Sequence, residues 1–539
     1  MKLLLLVTAL LLARGTAQGQ ALPGQILRDP DHPQWLMRAG GEHVFLCGPG
    51  DPEDFFYRGE RLLDGTRNGD QDALIAKLAA EGGNTLYVEV VRSHGGDGNS
   101  SHNPFVDSDP ALGLDEDILV QWEGWLDQAV AADITVMFFI YDDSAKIWEN
   151  AAGVVPAEQA FLEAIMNRFE SYPNLIFFVS EESEEARTDA IARDLAQIMA
   201  DADDHDHLIG NHHHTGTQFK SWQPGSAFEV FAVHDNVLGD QIHIDSALIH
   251  NNATTKGSFN GQPGNAYMAI MSEALFTQNG TSEERRHYIW DSAMGGLQSV
   301  VFGMDIASTP LEEHEAAQRL IDFMQTGPFW ELSPADERIA GVTRWALGSD
   351  EVPAIAYTRE ALGQLGLTDM SAGTVDLHWL DILSGDTAEV RRVEVSAGTN
   401  LFRRPAGFGA EVAVWVQRAW DDLGHALPGS SGMPRLTGDG TLVPGTTTTL
   451  AWSHTPGPTL GVLVIGASQL GAPFKQGVMV PAFDWPINVS INATGSGALT
   501  APWPMGAPSG LPVFTQLWFP DVGAPVGYGA TNAVSEVTP

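Results

Sequence analysis

Between about residues 40 and 330 the chain alternates short, nearly uninterrupted apolar runs with longer amphipathic segments. The runs are HVFLCG (43–48), NTLYVEVV (84–91), ITVMFFIY (134–141), NLIFFVS (174–180), HLIGNH (207–212), FEVFAVH (228–234), AYMAIM (266–271) and SVVFGM (299–304). Most are apolar throughout rather than alternating, the pattern of strands covered on both faces. Between them lie helical patterns. GDQDALIAKLAAEGG offers Asp70 as N-cap and Gly82–Gly83 as a stop, and DEDILVQWEGWLDQAVAA sets Ile118, Trp122 and Trp125 on one face. PAEQAFLEAIMNRFESY opens on Pro156, and SEERRHYIWDSAMGG ends in glycine. Eight strand–helix repeats over roughly 290 residues predict a (β/α)8 barrel. A doubly wound sheet is the alternative, but CGPGDPED after the first strand lacks the dinucleotide-binding spacing.

Beyond about residue 330 helical periodicity fades, and short β-rich runs such as PAIAYTR, VDLHWLDILSGD and EVAVWVQRA alternate with glycine, proline and aspartate turns. The expected organisation is a barrel over 20–328, a β-sandwich over 329–420, a linker over 421–434 (DDLGHALPGSSGMP) and a second all-β module over 435–539. Neither β module carries a dense cluster of acid, base and nucleophile, so structural support or carbohydrate or surface attachment is expected of them rather than catalysis.

Composition narrows the function. The start, MKLLLLVTALLLARGTAQGQ, has a lysine, an apolar run from Leu3 to Leu12 and small residues after it. That is the pattern of a signal peptide over 1–19, cleaved near Ala17–Gly19, and it predicts a secreted or periplasmic bacterial protein. Cys47 is the sole cysteine, so no intrachain disulfide forms and cysteine-based zinc patterns are excluded. With 69 acidic and 28 basic residues the formal charge is −41, which opposes nucleic acid, anionic membranes and sulfated polymers. A neutral or sparsely charged substrate fits this field, and no membrane insertion is expected.

Barrel active sites lie at the C-terminal strand ends. By that rule the candidates are Asp51, Glu53 and Asp54 after strand one, and Arg92, His94 and Asp97 after strand two. Asp142, Asp143 and Trp148 follow strand three, and Glu181 and Glu182 follow strand four. His212, His213 and His214 end strand five, His234 and Asp235 strand six, Glu273 strand seven and Asp305 strand eight. Glu273 is the one charged residue of NAYMAIMSEALF, and a carboxylate so placed needs a partner or a cavity mouth. Glu182 and Glu273 are 91 residues apart across three strand steps, close to the roughly 30 residues per step of such barrels. Two facing carboxylates are the working parts of a retaining glycosidase, one as acid/base and one as nucleophile. Alternation puts Glu181 and Glu182 on opposite faces, so one at most is expected to aim into the mouth. Glu184 and Glu185 are expected in the first turn of the next helix. The histidines NHHHTG alternate likewise and suit substrate or carboxylate contact, through His212 or His214, better than metal chelation. No GxSxG nucleophile elbow follows a barrel strand.

On FFVSEE and YMAIMSEA, residues 40–325 resemble the cellulase-like clan of (β/α)8 retaining glycoside hydrolases, whose strand four ends Asn-Glu. That resemblance implies Glu182 as acid/base, Glu181 in the asparagine position, Glu273 as nucleophile, Arg92 as an orienting arginine and no cofactor. LHWLDILSGD and LFRRPAGFGAEVAVWV are similar to the collagen-binding-like sandwich appended to apiosidase-like barrels, and the last module is similar to C-terminal domains of planctomycete-type secreted proteins. The leading expectation is a secreted glycoside hydrolase acting on a plant or algal poly- or oligosaccharide. Its rivals are a non-catalytic carbohydrate-binding barrel and a metal-assisted hydrolase centred on the histidines.

Overall fold

The computed structural model describes residues 20–538 except 31, 50–54, 93–100, 149–152, 215, 238, 255–266, 275–279, 299, 302–304, 350–351, 360, 419, 440–441 and 443–446. The expected leader, and the candidates Asp51, Glu53, Asp54, His94 and Asp97, lie outside the described residues. The chain divides into two compact units, Met1–Asp322 and Phe323–Pro539.

The first unit is a (β/α)8 barrel. Its strands are β1 (Cys47–Gly48), β2 (Thr85–Val91), β3 (Thr135–Tyr141), β4 (Leu175–Ser180), β5 (Ile209–His213), β6 (Val230–Asp235), β7 (Met268–Ala274) and β8 (Val300–Val301). Strands β2 to β7 form one parallel sheet in chain order, and β8 pairs in parallel with β1. Two joins close the ring: Asn84 N–H donates to Cys47 O at 2.9 Å, and Met271 N–H donates to Gln298 O at 3.3 Å. The helices are α1 (Gln71–Glu81), α2 (Glu116–Ala131), α3 (Pro156–Phe169), α4 (Asp189–Ala202), α5 (Asp240–Thr254), α6 (Ser282–Met294) and α7 (Leu311–Met324). Between β5 and β6 the described residues hold no helix, and the buried Phe219, Trp222 and Phe228 cover the sheet there, Phe219 stacking on Phe231.

The barrel interior packs Tyr87, Met137, Phe139, Ile176, Phe178, Val230, Ala232, Met268 and Ile270 from successive strands. Ile26, Leu36 and Val44 join that cluster from a small antiparallel sheet, Ile26–Arg28, Leu36–Arg38 and His43–Val44, which plugs the N-terminal end. The first expected strand, 43–48, is therefore split. His43–Val44 belongs to the plug and Cys47–Gly48 to the barrel. Apolar periodicity does not distinguish the two, because both ends of the run are buried.

The helix signals have mixed outcomes. Thr281 and Glu284 form a reciprocal capping box on α6, and Asp115 caps α2 by accepting from Asp117 N–H. Asp70 precedes α1 without a side-chain cap, because its carboxylate is taken by Arg58 at 2.6 Å. Glu184 and Glu185 are not in the first turn of α4. They occupy a separate 3-10 turn, Ser183–Glu185, and α4 starts after Thr188, whose hydroxyl accepts from Ile191 N–H.

In the second unit, six antiparallel strands between Ser333 and Arg418 pack on the three strands Ile339–Gly341, Leu365–Met370 and Gly398–Phe402. Leu365, Leu367 and Phe402 of one sheet meet Val375, Leu377 and Val414 of the other in a shared core. The last module is a second sandwich, with Leu436, Leu450 and Trp452 facing Leu463, Val489 and Leu517. The segment 421–434 is hydrogen-bonded to this module: Asp421–Asp422 pairs with Ser535 and Val534, and Leu427 exchanges hydrogen bonds with Ala530. Its glycines and prolines suggest a linker in sequence, but the backbone runs along a sheet edge.

Candidate functional site

The C-terminal ends of β2 to β7 bring together a cluster of carboxylates and imidazoles. Its placement depends on local departures from strict strand alternation. On β7 the register against β6 shifts between Met271 and Glu273, so that Glu273 pairs with His234. Met268 and Ile270 face the core, and without this bulge Glu273 would fall on the opposite face. On β4, Ile176 and Phe178 face the core, and alternation would send Glu181 outward. The alternation ends at Ser180, whose hydroxyl donates to Asp142 O and meets Arg187, itself stacked on Tyr141. Glu182 then adopts left-handed backbone, φ 31°, uncommon for a residue other than glycine.

The expectation that at most one of the two glutamates reaches the mouth is therefore corrected. Both are buried, at 7% exposure each. The carboxyl of Glu181 lies with a His212 ring nitrogen and the Glu273 carboxyl, all within 4.8 Å of one another. The Glu182 carboxylate is gripped by two imidazoles, His234 Nδ1 at 2.5 Å and His214 Nδ1 at 2.6 Å from its Oε1. His234 Nδ1 also stands 3.4 Å from Glu273 Oε2. Both carboxylates thus touch one nitrogen, and the two contacts added together put them at most 5.9 Å apart.

The environments of the pair differ. Burial pushes the Glu182 carboxyl up, but the His234 bond, the His212 charge and the His214 bond outweigh it and hold the group down to about 2. Burial, with the charges of Glu182 and Asp143, raises Glu181 well above the carboxylate range against the pull of Glu89 and Arg92. Glu89, on β2, was not foreseen as a site residue. It is buried, and burial together with the neighbouring charge of Glu181 raises its carboxyl well above the ordinary range. Its signal was present in the sequence: it is the one charged residue inside TLYVEVV, the same feature that singled out Glu273.

The other expected residues fall into place around this core. Arg92 is buried with its Nε 2.8 Å from Glu89 and 3.9 Å from Asp142. Burial and the neighbouring Asp143 push Asp142 up to about 8. Asp143 turns to the backbone and hydroxyl of Ser144, while one of its oxygens lies within 4.8 Å of those of Glu182 and Glu185. His212 is buried, and burial lowers it to about 3. Its Nδ1 accepts from Glu182 N–H at 3.3 Å, and its Nε2 has no hydrogen-bond partner among the described residues. His213 faces away, bonded to Ser221 and packed on Phe219 and Phe231, as alternation along β5 requires. Glu184 ties the turn after β4 to the end of β5, accepting from His214 N–H at 3.0 Å. Trp148 is half-buried against Phe105 and Phe161. Asp305 stands apart from the cluster, paired with Arg58 at 3.2 Å.

Ligand-type atoms of Glu182, His214 and His234 lie within 4.8 Å of one another. Their carboxylate–imidazole separations of 2.5 and 2.6 Å are hydrogen-bond lengths. Ligands around a tetrahedral ion with bonds of about 2.0–2.2 Å stand more than about 3 Å apart. As folded, this is a hydrogen-bonded cluster.

No family model and no curated protein matches the chain. Solved structures do resemble it. A candidate glycoside hydrolase from Bacteroides vulgatus is 15% identical with a TM-score of 0.57, over 73% of this chain and 82% of that one. A glycoside hydrolase family 5 protein from the same organism is 14% identical with a TM-score of 0.53, over 74% of this chain and 95% of that one. A third structure, a glycoside hydrolase, is 15% identical with a TM-score of 0.53, over 74% and 98%. What is shared is the fold. At these identities the likeness speaks for the architecture, and chemistry has to be argued from the site.

Proposed function

We propose that this chain is a secreted glycoside hydrolase that cleaves O-glycosidic bonds of a plant or algal poly- or oligosaccharide with retention of configuration. Glu273 is the nucleophile and the β4 glutamates supply the acid/base, Glu182 being the one that the clan resemblance selects. The observation that carries this reading is the convergence of the β4 and β7 carboxylates: Glu182 lies at most 5.9 Å from Glu273 through their shared contact at His234, and Glu181 has an oxygen within 4.8 Å of one of Glu273. Retaining pairs are about 5–5.5 Å apart and inverting pairs about 6.5–9.5 Å. The acidic mouth and the chain's charge of −41 favour a neutral glycan. Glycoside hydrolases among the structural neighbours agree with it.

The test is a panel of neutral glycans incubated with wild type, Glu182→Gln and Glu273→Gln, with the first-formed anomer followed by NMR. Wild type should release a product of retained configuration. Glu273→Gln should lose roughly 10³-fold or more in kcat while keeping its fold. Equal turnover by all three proteins, or an inverted product, would sink the proposal.

A further inference from the structure

Resting on that reading, we infer that Glu181, and not Glu182, carries the catalytic proton. The geometry points there first. Glu181 has its carboxyl within 4.8 Å of the Glu273 carboxyl, the separation of a retaining pair. Glu182 has both of its nearest partners in imidazoles, which fix it as an ionised anchor for His234 and His214. Glu181 stands instead beside a second buried carboxyl, that of Glu89, and two buried carboxyls so close resist ionising together.

Titratable and charged groups face Glu181 from every element around it. Glu89 and Arg92 approach from β2, Asp142 and Asp143 from β3, Glu182 from its own strand, His212 from β5 and Glu273 from β7. Tyr87 lies close enough below for its hydroxyl to respond to the charges of Glu181, Glu89, Glu273 and Glu182. Five carboxyls and one arginine leave the surroundings negative, so a proton on Glu181 is favoured. Glu89 is a positioning residue, set beside Glu181 in a fully buried place.

In the first step the Glu273 carboxylate bonds to the anomeric carbon. The bond to the leaving oxygen breaks with its electron pair on that oxygen, which takes the Glu181 proton and departs as an alcohol. In the second step the Glu181 carboxylate takes a proton from water as the water oxygen bonds to the anomeric carbon. The Glu273–sugar bond breaks, Glu273 leaves as carboxylate, and Glu181 is again protonated.

The experiment compares Glu181→Ala and Glu182→Ala on 4-nitrophenyl and 2,4-dinitrophenyl glycosides of the sugar that wild type releases, with and without sodium azide. Loss of the proton donor should cut kcat on poor leaving groups about 10²–10⁴-fold. With activated ones it should spare the first step only, and azide, which needs no general base, should restore turnover of the glycosyl-enzyme and yield a glycosyl azide. This pattern is expected for Glu181→Ala and not for Glu182→Ala, and the reverse assignment overturns the inference while leaving the hydrolase reading intact. Failure of Glu273→Gln to reduce wild-type turnover would overturn both. A measurement on the resting protein guards against misfolded variants. Infrared difference spectra should show a protonated carboxyl that titrates near neutrality in wild type and is missing in Glu181→Gln. A spectrum unchanged by that substitution contradicts the proposal. The pH profile of kcat/KM should lose activity as pH rises through the Glu181 value. In Glu89→Leu, which removes a group that lowers Glu181, this limb should move to higher pH, and an unmoved limb leaves Glu89 without that role.

Discussion

Two adjacent glutamates of identical chemistry are shifted in opposite directions because their surroundings differ. Imidazoles pull Glu182 down, whereas burial with the charges of Glu182 and Asp143 pushes Glu181 up. The consequence for stability can be worked out for Glu182. Its folded value, about 2, is below the ordinary 4.5, so its contribution is present above about 4.5 and is lost as pH falls toward 2. Urea unfolding of wild type should therefore show stability falling across that interval, with a shallower fall in Glu182→Gln. Equal slopes would mean that the two imidazoles do not hold the charge. His214 moves the other way: burial opposes its charge, but the Glu182 bond raises it above an ordinary histidine.

At the scale of elements, the site depends on a β-bulge near Ser272, a break in alternation at Ser180 and a left-handed turn at Glu182. The eight strands and most of the helices were legible because apolar runs and amphipathic segments alternate along the chain. The ends of strands four, five, six and seven were legible as the places to look for chemistry. The facing of Glu181 was not, because strict alternation fails at Ser180, whose hydroxyl is tied to Asp142 O and Arg187. Glu89 was passed over because it lies within a strand rather than at its end. The close packing under the site can be tested at Gly210. A Cβ there would come within 2.4 Å of Phe178 Cε1 and 2.9 Å of Val230 O. Gly210→Ala should destabilise the barrel by about 1–3 kcal/mol in urea titration. It should also lower turnover, because His212 lies two residues along the same strand. A substitution without effect on either would show that the interior of β5 has room to spare.

For the whole molecule, the charge of −41 opposes the approach of anionic ligands. Turnover of a neutral oligosaccharide should be almost insensitive to salt. An equivalent anionic oligosaccharide should be cleaved more slowly at low salt and gain rate as salt screens the repulsion. A rate for the anionic substrate that falls with added salt would instead reveal a local basic subsite. Within the second unit, the two sandwiches are joined by the Arg392–Glu536 pair at 2.6 Å, and the 421–434 segment runs along the last sheet rather than away from it. The proposed role of Glu273 is checked by trapping the protein with a 2-deoxy-2-fluoro glycosyl fluoride of the sugar it releases and mapping the adduct by peptide mass spectrometry. A glycosyl ester on Glu273 is the predicted result, and an adduct on any other residue would contradict the account.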